Sequence, residues 1–221
     1  MENKNTEKWP SRLFITGIDT DAGKSYATGW LANLVSADGG RPMTMKFVQT
    51  GNDDFSEDIL VHRKVMGIDP VPADLLNITA PEIFTYPCSP ELAARIDGRE
   101  INLRLITQAA DELAREYSTV LIEGAGGLMV PLKGDYLTID YIKEHDLPVV
   151  LVTNGRLGSI NHTLLALYAI KHHGIRLHSV IYNSYFDKDK IIAEDTRNYI
   201  RHWLETHFGD TRFLEMGPIR V

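Results

Sequence analysis

The sequence predicts an α/β domain built on a doubly wound, mostly parallel β-sheet with helices on both faces. Three observations lead there. The runs 13–15, 120–122 and 149–152 are short and continuously apolar rather than alternating, the pattern of strands buried on both faces. Between such runs lie longer segments whose apolar residues recur at helical spacing. The first run also passes through a glycine-bearing loop directly into a helical segment, the start of a strand–helix–strand unit.

Taken in order, residues 1–10 are polar and read as a flexible leader, with 11–221 as a single domain. A strand at 13–15 precedes a helix at 26–35, which places Trp30, Leu31, Leu34 and Val35 on one face. Asp38-Gly39-Gly40 ends that helix, since glycine accepts the left-handed cap conformation. A strand at 43–48 carries Lys46, and 49–54 read as a polar turn. A helix follows at 57–66, with Ile59, Leu60 and Val65 as its apolar positions. Residues 70–90 hold Pro70, Pro72, Pro81, Pro87 and Pro90 and read as irregular, with short elements only. Asn102 is placed to cap an amphipathic helix at 102–116, with Leu103, Ile106, Ala110, Leu113 and Ala114 inward. The second half keeps the rhythm: strand 119–123, a helix within 135–145, strand 149–152, helix 160–173, strand 177–182, helix 187–207 and a short strand at 212–214. No internal repeat, low-complexity tract or flexible linker divides the chain.

Composition narrows the function. A net charge of −7 argues against nucleic acid or an anionic membrane as partner, because both demand clustered Lys and Arg. The single cysteine, Cys88, rules out an internal disulfide and disfavours a thiolate zinc site, which points to a reducing, cytoplasmic setting. The N-terminal segment lacks the apolar core of a secretory signal, and no apolar run is long enough to span a bilayer.

The chemistry concentrates in Gly17-Ile18-Asp19-Thr20-Asp21-Ala22-Gly23-Lys24-Ser25. Strand, glycine-bearing loop, Gly-Lys-Ser and helix together form a phosphate-binding loop, so the fold is of the P-loop NTPase type. Backbone N–H groups and the positive helix end wrap an anionic phosphate, Lys24 reaches the outer phosphates and the Ser25 hydroxyl ligates Mg²⁺. The spacing from Gly17 to Gly23 is one residue longer than in the common loop. A nucleoside triphosphate is the implied ligand. In such a sheet ligands collect at the carboxyl ends of the strands. Lys46 stands there as a second positive charge, or as an ordinary snorkelling lysine. Glu123, at the end of an apolar strand and before Gly124-Ala125-Gly126-Gly127, is suited to Mg²⁺. Among Asp53, Asp54, Glu57 and Asp58 the residues alone do not choose.

The long loop with its Gly-x-Asp-Thr start resembles that of the dethiobiotin synthetase family. The resemblance continues in Lys46-Phe47-Val48-Gln49-Thr50-Gly51, in Ser89-Pro90, in Glu123-Gly124-Ala125-Gly126-Gly127 with Pro131-Leu132, in Leu157-Gly158-Ser159-Ile160-Asn161-His162-Thr163 and at Asn183, and so covers nearly the whole chain from Arg12 onward. It implies ring closure of 7,8-diaminopelargonic acid with CO₂ and MgATP to give dethiobiotin, ADP and phosphate. By matched position it assigns Lys24 and Lys46 to catalysis, and Ser25, Asp58 and Glu123 to Mg²⁺. The loop residues Gly17, Asp19, Thr20, Asp21, Ala22, Gly23, Lys24 and Ser25 then go to ATP, together with Asn183 at the adenine. Thr20, Lys46 and Thr50 go to the diamine or its carbamate, and Gly158, Ser159, Ile160 and Asn161 to the substrate carboxylate. The family supplies that last element from the partner subunit, which implies a homodimer with a shared substrate site.

Three positions depart from the family pattern: Ser25 replaces threonine with the hydroxyl retained, Phe47 replaces a proline, and Glu91 replaces a histidine. Two rival readings belong to other classes. A nucleotide-switched dimer of the partitioning-ATPase type would place a further lysine early in the loop, where Ile18, Asp19 and Thr20 stand. An amide-forming ATP-dependent ligase would carry a glutamine-hydrolysing domain, for which 221 residues leave no room. His162, the His172-His173 pair and the charge run Asp187-Lys188-Asp189-Lys190 read as packing, helix-end and solvated residues rather than as catalysts.

Overall fold

The computed structural model describes residues 9–209 and 211–220. In chain order the elements are β1 (Arg12–Gly17), α1 (Lys24–Ala37), β2 (Pro42–Lys46), β3 (Gln49–Thr50), α2 (Glu57–Met66), α3 (Pro72–Leu75), β4 (Ile83–Phe84), α4 (Pro90–Ile96) and α5 (Leu103–Glu116). They continue as β5 (Thr119–Glu123), β6 (Pro131–Lys133), β7 (Tyr136–Leu137), α6 (Thr138–Glu144), β8 (Val149–Asn154), α7 (Ser159–His172), β9 (Leu177–Asn183), a 3₁₀ turn (Ser184–Phe186), α8 (Lys190–Phe208) and β10 (Arg212–Met216). The main sheet runs β10-β9-β8-β1-β5-β2, and every pairing in it is parallel. β1 therefore sits between β5 and β8, and the chain departs from it in both directions. The ligand crevice of an open α/β sheet lies at such a switch point.

Alternation along the strands divides the core into two layers. Leu13 and Ile15 face one side, where they join Leu121, Val150, Val152 and the α1 residues Ala27, Leu31 and Ala32. Phe14 faces the other, with Met43, Met45, Val120, Ile122 and residues of α5, α6 and α7. Helix caps follow their chemistry: the Asn102 side chain accepts from Leu105 N–H at 3.0 Å, and Ser56 accepts from Ile59 N–H at 3.2 Å.

Several sequence expectations need correction. Residues 49–54 are not wholly a turn, because Gln49 and Thr50 pair in parallel with Ile83 and Phe84. The buried stripe of α1 is Ala27, Leu31, Ala32 and Val35, with Trp30 and Leu34 at its margin. Small residues let the helix approach: a Cβ on Gly29 would stand 2.7 Å from Val65 of α2. On α2 itself Leu60 is exposed, while His62 and Arg63 are buried beside Ile59. The apolar count failed there because those two polar side chains find partners inside. α8 begins at Lys190 rather than 187, since Asp189 caps it by accepting from Ile191 and Ile192 N–H. Of the expected leader, 1–10, residues 1–8 lie outside the described residues. Trp9, within it, is not loose: it donates to Asp38 at 2.9 Å and lies against the His178 ring.

Candidate active site

The carboxyl ends of β1, β2 and β5 and the first turn of α1 open into a cavity of about 890 Å³. Thr20, Asp21, Gly23, Lys24 and Ser25 line one side, and Lys46, Thr50, Asp58 and Glu123 line the other. Each reaches it for a local reason. Gly17 ends β1, where a Cβ would stand 3.0 Å from Asp19 O and 3.1 Å from both Ala22 Cβ and Lys24 Cγ, so any larger residue would push the loop outward by a few tenths of an ångström. Asp19 accepts from Thr20 N–H, which stiffens the loop, and Ala22 is buried behind it. Gly23 has φ 89°, the left-handed conformation that turns the chain into α1. Lys24 curls back to donate to Asp19 O and Thr20 O, each at 2.9 Å. Burial lowers its ammonium pKa to about 8.

Opposite the loop, Lys46 and Glu123 are register partners in β2 and β5. Lys46 Nζ donates to Glu123 Oε1 at 3.0 Å and to an Asp58 carboxylate oxygen. Asp58 lies in the first turn of α2, set there by Ser56, whose hydroxyl caps the helix while bonding Gln49 at 2.6 Å. Burial opposes ionisation of Glu123, but the Lys46 charge and the His62 hydrogen bond overcome it and hold the carboxyl well below its usual range. Burial likewise opposes the charge on Lys46, and the Glu123 and Asp58 carboxylates reverse the balance and raise its pKa.

Ser25 Oγ lies 3.0 Å from Asp58 Oδ1 and 3.0 Å from Glu123 Oε1. Its single hydrogen serves one of them, and the Lys46 ammonium donates to both carboxylates. Three hard oxygen atoms converging here suit Mg²⁺, which takes one or two carboxylates and fills its shell with phosphate oxygens and water. Among the described residues, no group of three or more His, Cys, Asp or Glu side chains forms a metal cage.

Asn183, at the end of β9, lines the same cavity and bonds the loop, donating to Ala22 O at 3.1 Å and accepting from Tyr185 N–H at 3.1 Å. The segment Gly158, Ser159, Ile160 and Asn161 is different. It opens α7 after a left-handed Gly158, but among the described residues lining the cavity only Arg156 comes from that neighbourhood. Sequence reasoning missed Arg156, which packs 3.8 Å over the Phe186 ring and reaches Asp21 O, and also His62. The i, i+4 spacing of Asp58 and His62 was the available signal for the latter. The departures find their places too. Phe47 is buried between Phe14 and Tyr141, and Glu91 accepts from Gly134 N–H at 2.7 Å, so its charge ties α4 to the β6–β7 turn.

A family model described as an AAA domain matches residues 11–209. The chain is 45% identical over 209 residues to an ATP-dependent dethiobiotin synthetase of Pasteurella multocida, covering 95% of this chain and 98% of that one. With the corresponding enzyme of Haemophilus ducreyi the identity is 46%, with coverage of 92% and 97%. With that of Chlorobaculum tepidum it is 45%, with coverage of 93% and 86%. The chain belongs to the dethiobiotin synthetase family. As a member of that family it is an ATP-dependent ligase. Among solved structures, a plasmid partition protein of Borrelia burgdorferi bound to AMPPNP aligns with a TM-score of 0.56 at 13% identity, covering 96% of this chain and 89% of that one. Apo McdA from Cyanthece aligns with a TM-score of 0.53 at 12% identity, covering 95% and 86%. At such identities the likeness carries the fold alone, a P-loop α/β domain. The partitioning-ATPase reading is not favoured, because the synthetase relatives match the same length of chain at more than three times the identity.

Proposed function

We propose that this chain closes the cyclic urea of dethiobiotin from 7,8-diaminopelargonic acid, CO₂ and MgATP. One amine of the diamine adds to CO₂ and loses a proton, giving a carbamate. The carbamate oxygen attacks the γ-phosphorus, and the bond to the ADP oxygen breaks, leaving a carbamic–phosphoric mixed anhydride. The second amine then attacks the carbonyl carbon and loses a proton, and phosphate leaves as the ring closes.

Each residue has a role that its position supports. Lys24 and the N-terminus of α1 hold the outer phosphates, with Gly17, Asp19, Thr20, Asp21, Ala22 and Gly23 shaping the loop around them. Lys46, from the opposite wall, meets charge developing on the transferred phosphoryl group. Thr20 and Thr50 flank the position of the carbamate. Asn183 reads the adenine edge with the hydrogen-bonding capacity that Ala22 and Tyr185 leave free. Ser25, Asp58 and Glu123 would hold Mg²⁺, which would supply neutralisation of the phosphate charge. The N-terminus of α7, Gly158 to Asn161, binds the substrate carboxylate in the cavity of a partner subunit, which makes the working unit a homodimer. Among the described residues no helix is long and apolar enough to cross a membrane, and with a single cysteine a cytoplasmic site of action fits.

The observation that carries the reading is the convergence of Lys24, Lys46, Ser25, Asp58 and Glu123 at one end of the sheet. Phosphate release from MgATP, with and without the diamine and bicarbonate, tests it, with the product weighed by mass spectrometry. Release that needs every component and yields the cyclic urea is expected. Release indifferent to the diamine would overturn the substrate assignment.

A further inference from the structure

Glu123 divides its two carboxylate oxygens between different neighbours. Oε1 faces Ser25 Oγ and Lys46 Nζ, each at 3.0 Å. Oε2 meets Nε2 of His62 in a short hydrogen bond. An ionised carboxylate only accepts, so the ring proton at this contact is on Nε2. His62 is fully buried, and among the described residues its Nδ1 has no hydrogen-bond partner, so the polar commitment of the ring is to Glu123. It stands one helical turn after Asp58 on α2, and the two side chains reach the same corner from one helix face.

The last torsion of a glutamate is broad and weakly restrained. With contacts at Oε1 alone, the carboxylate plane would be free to swing about that atom. A second contact at Oε2, from a ring locked in the core, removes that freedom. We propose that His62 is a positioning residue that holds Oε2, fixes the plane of the Glu123 carboxylate and reserves Oε1 for the phosphate corner. This rests on the reading of Glu123 as a ligand of the divalent cation. His62 touches no reacting atom and acts through Glu123. Partners that orient a ligand in this way set metal affinity as well as rate.

The test compares His62→Met, which fills the space without a donor, with His62→Gln, which keeps an N–H near the position of Nε2. Mn²⁺ binding to the full-length protein with a non-hydrolysable ATP analogue is followed by the electron paramagnetic resonance of free Mn²⁺, with Glu123→Gln alongside. We expect His62→Met to bind Mn²⁺ about 10-fold or more weakly, with His62→Gln recovering most of the loss. The Mg²⁺ needed for half-maximal turnover should rise in parallel, while kcat at saturating Mg²⁺ falls less. Wild-type Mn²⁺ affinity in His62→Met, with affinity lost in Glu123→Gln, overturns the positioning role and leaves the metal reading standing. Wild-type affinity in Glu123→Gln overturns the metal reading itself. Should His62→Met fail to fold, nitrogen-15 NMR of histidine-labelled wild-type protein decides: a proton on Nε2 is expected, and one on Nδ1 with Nε2 bare overturns the proposal.

Discussion

Lys46 and Glu123 face each other at the carboxyl ends of adjacent parallel strands and bond at 3.0 Å with both side chains buried. The pairing puts a cation and an anion into a dry corner beside the phosphate loop, each holding the other in its charged form. Lys46→Ala should lower turnover by on the order of 10²-fold or more, because fixed charge at the transferred phosphoryl group is lost. Steady-state phosphate release checks it, and near-normal kcat would remove Lys46 from catalysis. The melting temperature should fall too, since Glu123 keeps its hydrogen bond from His62 but loses its buried countercharge.

Gly23 and Asn183 form the second close relationship at the site. A Cβ on Gly23 would stand 2.2 Å from Asn183 Nδ2, and its φ of +89° already disfavours any other residue. Gly23→Ala should therefore cost roughly 1–2 kcal/mol for the backbone alone and raise the KM for ATP by displacing Asn183. In Gly23→Ala/Asn183→Ala the side-chain clash is gone and the backbone cost persists. A double variant as stable as wild type would show that the left-handed turn is not required.

The clamp that orients α2 lies outside the cavity. Arg63 Nε and Nη2 bond the two Asp74 oxygens at 2.8 and 2.7 Å, and Asp74 also accepts from Val71 N–H and Thr79 Oγ. Burial opposes the charge on Asp74, but these donors prevail and its carboxyl titrates below the usual range. Asp74→Ala leaves the guanidinium buried and unpaired, which should cost about 3–5 kcal/mol by urea denaturation. Replacing both partners by apolar residues of similar volume should cost much less. A loss in the double variant equal to the sum of the two single losses would mean that the pair is not coupled.

If the substrate carboxylate is bound by a partner's α7, two differently damaged chains should repair each other. Lys46→Ala damages the cavity and Asn161→Ala the donated loop, and each homodimer then has two defective sites. Mixed and re-equilibrated in equal amounts, they should recover up to about a quarter of wild-type activity, from one intact site in each heterodimer of a half-heterodimer population. Activity that stays at the level of the separate variants would confine each site to one chain.

What could be read from the sequence was what repeats or what is local. Continuous apolar strands, the Gly17–Ser25 loop and the Asn102 cap each state their structure within a few residues, and motif and resemblance point to Lys46 and Glu123 at strand ends and to Asp58 at a helix start. His62, Arg63 and Arg156 were not legible. Each is a polar residue whose burial or function depends on a partner far along the chain: Glu123 for His62, Asp74 for Arg63, Asp21 and Phe186 for Arg156. The short β3–β4 pairing was missed for the same reason, since two residues carry no period and their partner strand lies in the proline-rich stretch.

His178, on β9, lends itself to a prediction about pH. It packs against the Trp9 ring, and burial together with the charges of Arg212 and Arg176 lowers its pKa from 6.5 to about 4. Between those values an unfolded chain takes up a proton that the folded chain refuses. Stability contributed by the neutral ring is therefore complete above pH 6.5 and drains away as the pH falls towards 4. Urea midpoints at pH 7 and pH 5 should differ more in wild type than in His178→Gln, which has nothing to titrate there, by on the order of 1 kcal/mol. Equal acid sensitivity in the two proteins would mean that the imidazole is protonated as readily in the fold as outside it, and the packing of Trp9 over this strand would then have no part in acid stability.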